Sequence, residues 1–133
     1  YEQLKATYSK FYQQPILFQE YIKSSDGKSM RVLVIDHQIV GAFERYNKYD
    51  FRSNYGDKAS SKKVENNVKY MQFAQKITDI LNIEYAGIDL LFGENDEPIL
   101  CEINSNAFFE EFEKVTGING AKKYAEMVIK NIK

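Results

Sequence analysis

Apolar residues recur along this chain with two different periods. Val64, Val68, Met71, Ala74, Ile77 and Leu81 fall three or four positions apart, the spacing that lines one side of a helix. That predicts a long amphipathic helix from Lys63 to Asn82. Ala121, Tyr124, Ala125, Val128 and Ile129 repeat the pattern after Gly120 and predict a terminal helix. Elsewhere the apolar runs are short and rich in β-formers: Ile16 to Ile22, Met30 to Ile35, Gln38 to Arg45, Ala86 to Phe92 and Pro98 to Asn104. Runs of that length bounded by polar turns read as strands. Asp36-His37 predicts a hairpin turn joining the second run to the third. With an amphipathic stretch at the start, the order is helix, three strands, loop, helix, two strands, helix. That is an α+β domain with a mostly antiparallel sheet packed with helices.

Between the third strand and the long helix lies a polar, irregular segment from Tyr46 to Lys63. Unstructured loops beyond about 12 to 15 residues are usually functional or disordered. Tyr46, Tyr49, Phe51 and Tyr55 argue against plain disorder, which is poor in aromatics.

Three polar residues interrupt the last two strands. Asp89 stands between Ile88 and Leu90, Glu102 between Cys101 and Ile103, and Asn104 follows. Burying an ionised carboxylate without a partner costs several kcal/mol, so a counter-charge or a metal ion is expected beside it. Oxygen donors alone point to a hard cation, most naturally magnesium. Whether the three meet depends on the turn at Gly93 to Glu97. A two-residue loop of Asn95-Asp96 sets Asp89 opposite Glu102, and a four-residue loop sets it opposite Leu100, diagonal to Glu102. Either keeps all three on one face, whereas a three-residue loop without a bulge splits them. The competing reading is a hairpin whose acids simply face solvent.

Arg31 begins one strand and Arg45 closes the next, so both project from the same end of the sheet. Two guanidinium forks there suit phosphate or carboxylate. The alternative is two arginines covering a sheet face with their stems.

Composition narrows the classes. A chain of 133 residues suits one domain with one core. A net charge of −1 with dispersed lysines gives no basic field for nucleic acid. No apolar run approaches the roughly 18 residues of a membrane span. A lone Cys101 excludes an internal disulfide, fits a reducing, cytoplasmic setting and reads as a small buried hydrophobe. His37 is the one histidine and sits in a predicted turn, which removes histidine triads and zinc sites.

Taken in order, these groups resemble the ATP-grasp ligases, most closely the RimK-like branch that joins glutamate or a similar amino acid to a carboxylate. The resemblance runs from Leu17 to Ile129. Gln19-Glu20-Tyr21-Ile22 is similar to the hinge strand that reads the adenine edge. Asp50-Phe51-Arg52-Ser53-Asn54 resembles the loop beside the triphosphate and substrate, and Ala86-Gly87-Ile88-Asp89 with Glu102-Ile103-Asn104 resembles the magnesium site. Glu113 to Ile118 resembles the closing segment. The chain departs from its relatives at Ser29, where an aspartate is usual, at Gly56, where glycines are usually paired, and at Ser105-Asn106-Ala107-Phe108.

The resemblance implies that ATP is held by Gln19, Glu20, Tyr21, Ile22, Ser29, Arg31 and Arg45. Asp89, Glu102 and Asn104 would hold magnesium, or manganese in its place. Arg52, Ser53 and Asn54 would orient the phosphates or the acyl phosphate. The partners implied are ATP and a carboxylate, amino-acid or peptide substrate, with no nucleic acid and no membrane. A whole enzyme of this kind carries an N-terminal substrate domain and a lid subdomain with a phosphate-binding lysine. Residues 1–133 are therefore expected to be the C-terminal ATP-grasp subdomain of a longer enzyme, folding alone but without turnover alone. Three other classes compete: a nucleotide-binding module without catalysis, a kinase-like phosphotransferase, and a peptide-binding domain built on the Arg52 loop.

Overall fold

The structure, a computed structural model, describes residues 2–10, 14–15, 17–54, 56–64 and 67–132. Its elements are α1 (Glu2–Lys10), β1 (Lys28–Ile35), β2 (Gln38–Tyr46), β3 (Ser60–Lys63), α2 (Val68–Leu81), β4 (Tyr85–Phe92), β5 (Pro98–Asn104), α3 (Glu110–Thr116) and α4 (Gly120–Ile132). The strands form a five-stranded sheet in the order β3-β2-β1-β4-β5, antiparallel at every pairing. This is the α+β architecture expected.

Alternation along the strands divides the apolar residues between two cores. Met30, Val32 and Val34 of β1 join Ile88 and Leu90 of β4 beneath Tyr70 and Ala74 of α2. Leu33, Ile35 and Phe43 face the other way, against Phe112 of α3 and Met127 of α4. Strand β1 is thus covered on both sides, which explains its near-continuous apolar run. Arg31 is the exception, sharing a face with Leu33 and Ile35 at the end where apolar packing gives way to charge. Asp36 and His37 turn the β1–β2 hairpin with φ of 54° and 61°, the left-handed pair that a tight hairpin requires.

Three expectations are corrected. The first concerns the run from Ile16 to Ile22, whose Ile16 lies outside the described residues. Residues 17–22 form no strand, and Leu17 and Phe18 are exposed. Strand propensity is realised only against a partner, and both flanks of β1 are already taken by β2 and β4. Second, the long helix begins at Val68, because Lys63 pairs with Phe43 at the end of β3 and the Asn67 side chain caps the helix by accepting from Tyr70 N. Residues 65 and 66 lie outside the described residues. Third, Cys101 is exposed.

The cause of that exposure also fixes the site. The β4–β5 connection runs from Gly93 to Glu97, since Phe92 pairs with Pro98. An odd connection of this kind would set Asp89 against Cys101. A bulge intervenes: Leu90 pairs with Leu100, yet Asp89 pairs with Glu102. The register passes over Cys101, which is left at an outer edge of the sheet, and the acids meet as the two-residue loop would have had them. The connection is pinned from α2. The buried Tyr70 hydroxyl donates to Asp96 Oδ1 at 3.2 Å and to Glu97 O at 3.4 Å, and Lys69 Nζ donates to Asp96 O at 2.8 Å.

Because Cys101 occupies the passed-over position, its thiol should react completely with an aromatic disulfide reagent under native conditions. Reaction only after denaturation would contradict the bulge.

Candidate functional site

Asp89 on β4 pairs with Arg31 on β1 and with Glu102 on β5. Ser29 pairs with Arg45, and Arg45 pairs with Ser61 on β3. Cross-strand partners share a face, so the register places Ser29, Arg31, Arg45, Asp89 and Glu102 on one side of the sheet. Asn104, two residues beyond Glu102, lies on that side opposite Gly87. These sequence-predicted residues are therefore brought together.

Asp89 is buried. Arg31 Nε approaches Asp89 Oδ1 to 2.7 Å, but out of line, so both atoms are buried with no hydrogen-bond partner. Arg45 Nη1 stands 3.5 Å from the same oxygen. The rest of the Arg45 fork belongs to Glu111 at the start of α3: Nε and Nη2 donate to Oε2 at 3.0 and 2.6 Å. Ser61 Oγ donates to Glu111 Oε1 at 2.6 Å, and the guanidinium carbon lies 5.0 Å from the Phe43 ring centre. Burial pushes the Asp89 carboxyl above its ordinary range, while Arg31 and Arg45 pull it back in part. Burial likewise lowers Arg31, against the opposing pull of Asp89. For Glu111 burial is outweighed by the hydrogen bonds from Arg45 and Ser61, which hold its carboxyl low. Sequence reasoning missed Glu111 and Ser61, since neither sits in an apolar run that would have made a charge or hydroxyl conspicuous.

Gly87 makes this arrangement possible. A Cβ there would run into the Arg31 guanidinium and the Ala107 side chain. The segment after β5 is fixed nearby by a hydrogen bond from Tyr85 Oη to Ala107 O and by the Tyr85, Phe109 and Tyr124 rings.

The residues present suit a hard cation. Among the described residues no three His, Cys, Asp or Glu side chains gather in one place, so the donors available are two carboxylates and an amide. Asp89 Oδ1 is a buried carboxylate oxygen paired with the Arg31 and Arg45 guanidinium groups but without an in-line hydrogen bond, so its lone pairs are not fully used and a hard cation could take one. Asn104 Oδ1 accepts from Asn106 N at 2.8 Å, which fixes its side chain and leaves one lone pair for another partner.

The Arg52 loop is built onto the sheet rather than hanging from it. Asn47 N donates to Gly27 O at 2.8 Å and Gly27 N donates to Phe51 O at 3.0 Å. Gly27 has φ +65°, and a Cβ there would strike the Asn47 carbonyl. Ser53 is buried, and its hydroxyl meets that of Ser29 at 2.6 Å. The departure at Ser29 therefore fastens the loop to β1. Arg52 and Asn54 stay exposed. The Arg52 guanidinium is engaged by Asp50 through Nε at 3.0 Å and Nη2 at 2.8 Å. Gln19, Glu20 and Tyr21 are exposed and Ile22 is half-buried. Tyr21 meets Phe51 edge to face with ring centres 5.9 Å apart, which links this segment to the loop.

A cavity of about 640 Å³ opens where β1, β2 and β3 end, a size usual for small-molecule sites. It takes Arg45 and Ser61 from the Asp89 face and Glu44 and Lys62 from the other. It thus rounds the end of the sheet, and neither Asp89 nor Glu102 lines it.

The sequence matches the family model of the RimK-like ATP-grasp domain over residues 1–128. This chain belongs to the RimK-like ATP-grasp family. It is 37% identical over 105 residues to the uncharacterized protein MG012 of Mycoplasma genitalium, covering 79% of this chain and 36% of that protein. It is 35% identical over 109 residues to the ribosomal protein bS6--L-glutamate ligase of Escherichia fergusonii, covering 81% of this chain and 36% of that protein. Among solved structures, the ATP-grasp ligase PsnB in complex with a precursor variant, Mg and ADP superposes with a TM-score of 0.65 at 20% identity, over 86% of this chain and 35% of that one. The likeness to PsnB confirms the ATP-grasp fold. The chain spans 36% of the length of the two relatives named.

Two measurements check the geometry. Gly87→Ala should destabilise the protein by about 1 to 3 kcal/mol in denaturant titration, because the methyl displaces Arg31 from Asp89; an unchanged midpoint would contradict the contact. The Asp50 carboxyl, held down to about 2 by the Arg52 side chain and backbone, should titrate there by carbon NMR and rise only part of the way toward the ordinary carboxylate range in Arg52→Ala, which keeps the backbone N–H donor. Its contribution to loop order is present above the unfolded value and is lost as pH falls through about 2.

Proposed function

We propose that this chain forms the C-terminal, metal- and nucleotide-binding part of an ATP-dependent carboxylate–amine ligase that adds glutamate or a similar amino acid to a carboxylate of a protein or peptide. Family membership supports the class. The observation that carries the site is the pairing of Asp89 with Glu102 beside two guanidinium groups. In the reaction, a substrate carboxylate oxygen attacks the terminal phosphorus of ATP and ADP leaves. The amine nitrogen then attacks the acyl carbon, phosphate leaves with the bonding pair, and the nitrogen loses a proton to form the amide.

Such a transfer needs positioning and charge neutralisation more than a protein nucleophile. Asp89, Glu102 and Asn104 would hold magnesium, or manganese in its place, and the metal when bound neutralises phosphate oxygens. Arg31 and Arg45 add fixed positive charge on the same face, and Arg52 and Asn54 orient the phosphates from the loop. Ser53 serves differently: with its hydroxyl against Ser29 it positions Arg52 and Asn54. Gln19 to Ile22 would carry the adenine edge, with Tyr21 braced on Phe51. The rest of the enzyme, with a substrate domain and a lid, lies outside these residues in this reading, and the cytoplasm is the compartment in which an exposed thiol such as Cys101 stays reduced.

In the complete enzyme, Glu102→Gln should lower kcat by about a hundredfold or more while the fold survives, as loss of one metal-balancing charge amounts to several kcal/mol of transition-state stabilisation. Near-normal turnover at saturating magnesium would refute the assignment. Metal should also raise the melting temperature by mass action, more at pH 8 than at pH 5, where protons compete for the same oxygens. Asp89→Asn should abolish the rise; an equal rise in both proteins would place the ion elsewhere.

A further inference from the structure

We propose that Glu111 is a positioning residue for the Asp89 site: by occupying two nitrogens of Arg45 it keeps that guanidinium from closing onto Asp89 and leaves the carboxylate available to a cation. The inference rests on the reading of Asp89 and Glu102 as cation ligands. Arg45 offers five N–H donors in a rigid fork. Its Nε and Nη2 edge is committed to Glu111 Oε2 at 3.0 and 2.6 Å. The nitrogen left over, Nη1, stops 3.5 Å from Asp89 Oδ1, well beyond the roughly 2.7 to 2.9 Å of a closed charge-assisted bond.

Asp89 Oδ1 is buried with Arg31 Nε 2.7 Å away but out of line, so an in-line bond from a released Arg45 is still open to it. A guanidinium freed from Glu111 would turn its fork onto that carboxylate and compete with a divalent ion for it. Glu111 resists from behind, because Ser61 Oγ donates to its other oxygen at 2.6 Å and thereby ties α3 to the edge strand β3. The Phe43 ring beneath the guanidinium completes the seat. Glu111 touches neither Asp89 nor Glu102 in any ion pair or hydrogen bond on this face, and it acts through Arg45.

The test uses protein labelled with 15N at arginine and follows the Arg45 Nε–H signal, together with Mn2+ affinity measured by electron spin resonance. In the unmutated protein the signal should exchange slowly with water. In Glu111→Ala it should shift, and Mn2+ affinity should fall roughly tenfold, the equivalent of losing one charge-assisted contact. Glu110→Ala, the same charge change one residue away on an exposed position, should leave both readings within twofold of the parent. Ser61→Ala, which frees only one Glu111 oxygen, should give an intermediate loss. In an Arg45→Met background Glu111→Ala should have no further effect on Mn2+ binding. An Arg45 signal unmoved by Glu111→Ala overturns the proposal, as does an equal loss in Glu110→Ala or a loss that persists in Arg45→Met. An unmutated protein whose Mn2+ binding is absent, or survives Asp89→Asn, overturns the metal reading and with it the purpose assigned to Glu111, even where the Arg45 signal moves.

Discussion

Asp89 and Arg31 face each other across β4 and β1 at 2.7 Å, on strands most of whose other side chains pack into apolar cores. Two charges drawn out of water lose several kcal/mol of solvation each, and their attraction recovers that only with good geometry and full hydrogen bonding. Here the geometry is out of line and two atoms stay without a hydrogen bond. As a stabilising device the pair is therefore poor. Its neighbours are nonetheless shaped around it: Gly87 is small so that the Arg31 guanidinium has room, and Arg45, Glu111 and Ser61 form a chain of alternating charge and hydroxyl beside it. The sheet gives up apolar packing in its middle strands and surrounds the loss with supporting contacts.

The loop from Asn47 to Asn54 obeys a related constraint. Loops that carry chemistry must hold polar groups in the open without letting them wander. Two backbone hydrogen bonds to Gly27, the Ser29–Ser53 hydroxyl pair and the Asp50–Arg52 fork all hold this loop. The turn at Gly27 and the loop are one unit, and the segment before it joins through Tyr21 and Phe51.

Much of this was legible in the sequence because it depends on periodicity. The apolar spacing of α2 and α4, the hairpin at Asp36-His37 and the common face of Glu102 and Asn104 all follow from side-chain geometry within an element, whereas the meeting of Arg31 and Arg45 with Asp89 and Glu102 is set by the register between strands. What sequence reasoning missed depends on partners. Residues 17–22 have the composition of a strand but no neighbour to pair with, while Ser60–Lys63 lack that composition and pair with β2 at an edge. Helix α3 is too short to show a period, so Glu111 went unnoticed. The facing of Asp89 and Glu102 was anticipated through an even turn, whereas the molecule reaches it through an odd turn and a bulge.

That bulge separates two properties that strand geometry normally couples. In a plain hairpin, adding or deleting one turn residue inverts every side chain beyond it, so the turn cannot change length without destroying the chemistry. With an extra residue absorbed at Cys101, the phase of Glu102 and Asn104 is reset after the turn. Descendants of this chain could then drift in the exposed Glu94–Asp96 tip by losing one residue there and one at Cys101 together, with the acids still face to face. Length variation at the tip and at position 101 should accordingly be inherited as a linked pair.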